Sequence, residues 1–321
     1  MKTFKLSPAG KDYIWGGSRL KTDYGKALDL DPLAETWECS VHPDGPSTVA
    51  SGAFAGRTLA GLLAEHPEYL GTSPSVSGGL HVLIKLIDAR RDLSVQVHPD
   101  DAYARREEDG QQGKTEMWYV LEAEPGAQLV FGLNRKVSVE ELRESLERGT
   151  VEAYLRQVPV RRNDVFFIPA GTVHAIGRGI LLAEVQQNSN LTYRLYDYGR
   201  LGKDGRPREL HVDKALSVAN LSGAQDVRQP MRVLRYRSGF AEESLCKCPY
   251  FQVSRCLLNG TDVPFPALPE SYRVLLCLDG EGTLREGDGE LIFRKGETLF
   301  VPATAGALSL SGRAEFLLVR G

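Results

Sequence analysis

The chain has 321 residues, 42% of them hydrophobic and 25% charged, with a formal net charge of −3. That composition describes a folded globular protein of about two domains and excludes extensive disorder. The near-neutral charge removes the electrostatic case for nucleic acid or an anionic membrane as the main partner.

In chain order, the opening MKTFKLSPAGKDYIWGG lacks the apolar core of a signal peptide. No segment reaches the ~20 apolar residues that span a bilayer, so a cytoplasmic location is expected. Residues 54–66 read as a short helix ending before Pro67. Strand patterns follow in HVLIKLI (81–87), LSVQV (93–97) and MWYVL (117–121). A second helical segment is expected over 138–158. Ser138 and Glu141 form a capping box there, and Leu142, Leu146, Val151 and Leu155 supply an apolar face. Strands resume in DVFFIP (164–169) and GILLAEVQ (179–186), and later in FQVSRCLL, YRVLLCL and AEFLLVR. The 33 glycines and 17 prolines punctuate these runs at the rhythm of a sandwich or barrel. The fold class expected is therefore mostly β, with a few short helices.

A domain boundary is expected near 225, giving domains of 1–225 and 226–321. NDVFFIPAGTVHAI (163–176) resembles GETLFVPATAGALS (296–309), and His174 aligns with Ala307. This reads as a duplicated fold whose second copy has no metal site. The cysteines are Cys39, Cys246, Cys248, Cys256 and Cys277; their odd number and spacing fit reduced structural thiols.

Three short stretches carry the chemistry. In Leu93–Asp101, strand alternation puts Ser94, Gln96 and His98 on one face and Leu93, Val95 and Val97 on the other. In Gly113–Leu121, Lys114, Glu116 and Trp118 share a face. In Ile168–His174, a Pro-Ala-Gly turn leads to a histidine. Each alone suits an ordinary surface pair or core histidine. Together, Gln96, His98, Glu116 and His174 offer two nitrogens and two oxygens to a divalent metal, with one negative charge. Glu184 and Gln186 share a face beyond them, as do Thr192, Arg194 and Tyr196. An inward Arg194 requires an anion, either a barrel carboxylate or a substrate phosphate.

This set resembles the cupin pattern of paired ligands, a Glu on the next strand and P-x-G-x-x-H. More narrowly it resembles the type I mannose-6-phosphate isomerases. The carriers are S-x-Q-x-H-P-D (Ser94–Asp100), K-x-E (Lys114, Glu116), the run from Glu184 to Arg194, W-G-G at Trp15, E-T-W-E at Glu35 and YRLYDYGR (193–200). The resemblance implies two cupin-like jelly-roll domains. It implies one Zn²⁺ per chain, or another divalent metal, on Gln96, His98, Glu116 and His174. It gives active-site roles to Lys114, Glu184 and Arg194, and substrate contacts to Ser94 and Lys85. The implied reaction interconverts mannose 6-phosphate and fructose 6-phosphate, with a small sugar phosphate as partner, in a monomer or weak homodimer. Where many relatives carry Asp, four residues before the arginine, this chain has Asn190, which cannot take a proton. Glu184, Lys114 or a water at the metal remain open as the proton-transfer group. Two other readings are an iron-dependent cupin oxygenase and a non-catalytic sugar-phosphate-binding bicupin.

Overall fold

The computed structural model describes residues 1–73, 78–223 and 232–321. The expected boundary between 225 and 226 lies outside the described residues. Among the described residues strands far outnumber helices, and they form sheets of ten, six and five strands.

The six- and five-stranded sheets face each other and form the first jelly-roll barrel. In the six-stranded sheet, Val165–Ile168, Glu116–Ala123, Ile180–Gln187, Val82–Ala89, Glu35–Cys39 and Ala9–Lys11 lie side by side. The five-stranded sheet runs Tyr193–Tyr196, Val95–Val97, His174–Ala175, Gln128–Leu133 and Leu155–Pro159. Between them lies a core that includes Ile87, Trp118, Val120, Leu129, Phe131, Phe166, Ile180 and Leu182. The outer face of the smaller sheet is covered by the helices Val139–Glu147 and Val212–Val218, which bury Leu142 and Leu216 against Val95, Val97 and Leu133.

The larger sheet has no solvent face. Its other side, with Ile84, Leu86, Met117, Leu181, Ala183 and Val185, packs on Val274, Leu276, Leu317 and Val319 of the ten-stranded C-terminal sheet. Burial on both sides explains why Val82–Ala89 and Ile180–Gln187 are buried at every position. It also explains why these strands read as apolar runs broken by few polar residues: Lys85 and Glu184 of the cavity, Asp88 paired with Arg19, and Gln186 and Gln187 bonded to backbone groups. The N-terminal strand Phe4–Ser7 joins the C-terminal sheet, pairing with Thr298–Val301.

The helix expected over 54–66 occupies Leu59–Glu65, with the Thr58 side chain accepting from the Gly61 N–H. The expected 138–158 helix is a correction. Its first half forms as read, with Ser138 capping the Glu141 N–H and helix over Val139–Glu147. Gly149 then takes φ 67°, a conformation that ends a helix. Beyond it come a 3₁₀ turn (Val151–Tyr154) and the strand Leu155–Pro159, which pairs with Gln128–Leu133. Val151, in the turn, and Leu155, at the start of the strand, both pack into the cluster beneath Leu142 without continuing its helix. All five cysteines are free thiols. No helix among the described residues is long and apolar enough to cross a membrane.

Candidate active site

Two rows of side chains face each other inside the first barrel. On the larger sheet, Glu184 stands opposite Lys85 on one neighbouring strand and opposite Trp118 on the other. On the smaller sheet, Gln96 stands opposite His174 on one side and Arg194 on the other. Directly opposed residues share a face, so sheet register alone aligns each row.

Loop geometry adds the remaining groups. Asp100 caps the helix Asp101–Glu107 by accepting from Tyr103 N–H at 2.8 Å, which turns the chain just after His98. Gly113 returns against that turn: its N–H donates to Asp101 at 2.8 Å, and a Cβ there would sit 2.5 Å from backbone atoms of Asp100 and Asp101. Only glycine allows this approach. The next residue, Lys114, is thereby held beside His98, its N–H bonded to Pro99 O at 3.0 Å. The Pro-Ala-Gly turn before His174 is tied to the same place by Gly171 N–H donating to His98 O at 2.8 Å.

His98, Glu116 and His174 converge in the interior, with ligating atoms all within 4.8 Å of one another. His98 Nε2 lies 3.1 Å from Glu116 Oε1, and His174 Nε2 lies 3.6 Å from Glu116 Oε2. The Gln96 amide is 3.4 Å from His174 Nε2. Turning that amide over presents its oxygen to the same point, since the two ends of an amide are interchangeable in shape. His174 Nδ1 faces the Thr172 carbonyl at 2.9 Å, which leaves Nε2 with its lone pair toward the cluster. His98 Nδ1 and both Glu116 oxygens are buried without a well-formed hydrogen bond. Burial and the Lys114 charge push His98 down to about 3, and burial pushes His174 down as well, so both imidazoles are neutral donors. Burial works against ionisation of Glu116, yet the Lys114 charge holds its carboxyl well below the usual range. Neutral imidazoles and an ionised carboxylate are the protonation states that a divalent metal requires, so the donor set fits such an ion.

The cluster lies behind Gln96 and Lys114, which line a cavity of about 260 Å³ together with Tyr13, Trp15, Glu35, Lys85, Ser94, Glu184, Asn190, Arg194 and Arg208. Lys114 Nζ is 2.8 Å from Glu116 Oε1 and 3.3 Å from His98 Nε2. Lys85 Nζ is 3.0 Å from Glu184 Oε1 and 3.8 Å from Glu35 Oε2, so two carboxylates already meet its charge. Glu184 Oε2 accepts from Trp118 Nε1 at 2.8 Å. Burial, then the Glu116 charge, raise the Glu184 carboxyl despite Lys85. Ser94 is buried in the cavity wall. Asn190 donates to Asp44 Oδ2 at 2.7 Å.

Arg194 has no carboxylate partner among the described residues. Its Nη1 donates to Glu209 O at 2.7 Å and its Nε is buried without a partner. Burial and the nearby Arg208 lower its pKa. Of the two anions open to Arg194 in the sequence, the barrel carboxylate is absent, which leaves it available to a ligand. Sequence reasoning missed Glu35, Arg208 and the wall residues Tyr13 and Trp15. Glu35 and Trp15 sit within E-T-W-E and W-G-G, but Arg208 lies in a loop with no periodic signal.

Fold and site together define a double-barrelled cupin whose first barrel holds a buried set of metal-type donors. Residues 3–124 match the family described as phosphomannose isomerase type I, catalytic domain, and residues 241–320 match mannose-6-phosphate isomerase, cupin domain. The mannose-6-phosphate isomerase of Streptococcus mutans is 37% identical over 95% of this chain and 93% of its own. The crystal structure of the Bacillus subtilis mannose 6-phosphate isomerase superposes with a TM-score of 0.93 at 34% identity, covering 99% of each chain. A zinc-bound mannose 6-phosphate isomerase structure, 18% identical, shares the fold with a TM-score of 0.76 over 99% of each chain. The chain belongs to the mannose-6-phosphate isomerase family.

Proposed function

We propose that this protein interconverts mannose 6-phosphate and fructose 6-phosphate, using one Zn²⁺ per chain held by His98, Glu116, His174 and the Gln96 carbonyl oxygen. The observation that carries this reading is the convergence of His98, Glu116 and His174 immediately behind a polar cavity, in a chain of this family. Both nitrogen donors are neutral and the Glu116 carboxylate is ionised, as zinc prefers.

An aldose–ketose isomerisation moves a proton between C1 and C2 and exchanges the protons on O1 and O2. When bound, the metal supplies Lewis acidity for the negative charge that develops on those oxygens. Glu184 is the proposed carrier of the carbon-bound proton. It lines the cavity, burial raises its carboxyl above the ordinary value, and Trp118 and Lys85 fix its orientation. Lys114, between the ligands and the cavity, is placed to exchange the hydroxyl protons. Arg194 offers a fixed positive charge to the substrate phosphate, with Arg208 and Ser94 in the same wall, while the Lys85 charge, expected from the sequence to contact the phosphate, is engaged by Glu184 and Glu35. Asn190 orients through Asp44 and carries no proton.

The oxygenase and non-catalytic readings draw no support from the relatives. The test is metal analysis of the purified protein, followed by a coupled assay of chelated and zinc-reconstituted forms. The expected result is about one zinc per chain, with turnover lost on chelation and restored by zinc. Metal-loaded protein that yields no fructose 6-phosphate from mannose 6-phosphate sinks the proposal.

A further inference from the structure

The mouth of the C-terminal barrel gathers cations around a second cavity. The barrel interior includes Leu275 and Cys277 on one strand and Phe316 and Leu318 on its neighbour, all in one apolar core. Side chains alternate along a strand, so the next residues on that face are Arg273 and Arg320. These two arginines stand directly opposite each other in the antiparallel ladder. Like charges in that relation repel.

Arg273 is only 5% exposed. Its Nη1 donates to Pro266 O at 2.9 Å, and no carboxylate pairs with it among the described residues. Glu286 is the acid whose charge reaches it, but the Glu286 Oε2 already accepts from the Lys2 and Thr3 N–H groups and the Thr3 hydroxyl. Burial and the Arg320 charge lower the Arg273 guanidinium to about 10. A buried cation without an acid is expensive unless an anion completes it.

Two more arginines reach the same cavity of about 320 Å³ from the strand Leu234–Arg237. The Arg237 guanidinium is held 4.6 Å from the Phe240 ring centre and 5.3 Å from that of Phe265. Against Arg235, Arg237, Arg273 and Arg320 stands one lining acid, Glu242, 3.7 Å from Arg320, so four positive charges meet one negative.

We propose that this cavity is a binding site for the phosphate group of a small phosphorylated molecule, separate from the cavity of the first barrel. Several guanidinium forks around one hollow suit a tetrahedral dianion, which accepts paired hydrogen bonds from more than one of them. A single carboxylate satisfies fewer of these donors.

The probe is radiolabelled inorganic phosphate, in equilibrium dialysis against the full metal-loaded chain at low ionic strength. Two equivalents are expected per wild-type chain, one in each barrel. Arg273→Met and Arg237→Gln are each expected to weaken one equivalent at least about tenfold, with kcat and KM for mannose 6-phosphate unchanged. Arg237 is exposed, so its variant folds even if replacement of the buried Arg273 disturbs the barrel. Phosphate is also expected to raise the melting temperature of Arg194→Ala, in which the first site is weakened and the second is intact. The proposal is overturned if Arg237→Gln binds phosphate as wild type does, or if Arg194→Ala binds none. Loss of isomerase activity with the Arg237-dependent site intact would instead overturn the functional reading alone.

Discussion

The two barrels build one turn twice and then part. In the first, Asn163 takes φ 71° and the Asp164 carboxylate accepts from Arg161 N–H at 3.0 Å. In the second, Gly296 takes φ 84° and the Glu297 carboxylate accepts from Arg294 N–H at 2.8 Å. An apolar strand and a proline follow in both. Beyond the proline, the first chain enters Thr172–His174 and delivers a buried imidazole, whereas Ala307 at the matching place is exposed. Inside, the first barrel carries Lys85, Lys114, Glu116, Glu184, His98 and His174, while the second is lined by Leu275, Cys277, Phe316 and Leu318 until its mouth. One frame therefore serves chemistry or packing according to which residues fill its interior column. Buried charges stabilise a fold poorly, so the barrel with the site gains from an apolar partner packed on its back.

Several experiments break or sharpen that contrast. The largest effect is expected from His98→Ala, which removes a nitrogen donor from the first interior: metal content and turnover should both fall to background, while circular dichroism keeps its β signature. Retained zinc and activity would break the comparison at its root. Next, Phe316→Ala in the second interior should destabilise the chain by about 3–5 kcal/mol in chemical denaturation, with KM for mannose 6-phosphate unchanged below the transition. A smaller loss, about 10²-fold in kcat, is expected for Glu184→Gln with zinc still bound, since general acid–base residues typically contribute about 10²–10⁴. Wild-type turnover in that variant would remove Glu184 from the proton path.

A subtler test uses acid. Burial works against ionisation of Asp197, but hydrogen bonds from Arg208 and Arg200 outweigh it and hold the carboxyl below its ordinary 3.8. A carboxyl depressed in the folded state contributes stability above its unfolded value, and that contribution is lost as pH falls through the folded value. Asp197→Asn should therefore lower the melting temperature near neutrality and flatten its decline below about pH 4. The smallest expected effect is Ala307→His, which should add no second equivalent of zinc, because one exposed histidine beside an apolar column does not make a site.

Much of the site was legible because register in a sheet is strict. Alternation alone put Glu184 with Gln186, and Gln96 with His98, on faces that the structure turns inward. It failed at Leu93, which packs in the barrel interior with Trp118 while Val95 and Val97 pack outside under the helices, because the strand begins only at Val95. Periodicity also misjudged Val151 and Leu155, where a glycine at positive φ ends the helix and the chain goes on as a 3₁₀ turn and then a strand.

The sequence by itself determined the β architecture, the caps at Thr58 and Ser138, and the residue types suited to a metal and a phosphorylated sugar, because these follow from local spacing and side-chain chemistry. The tertiary structure decided which charges cancel. It gave Lys85 to Glu184 and Glu35, left Arg194 without a carboxylate, and set Arg273 against Arg320 across a ladder. Pairing of charges depends on distances between strands far apart in the chain, and no local pattern encodes those distances.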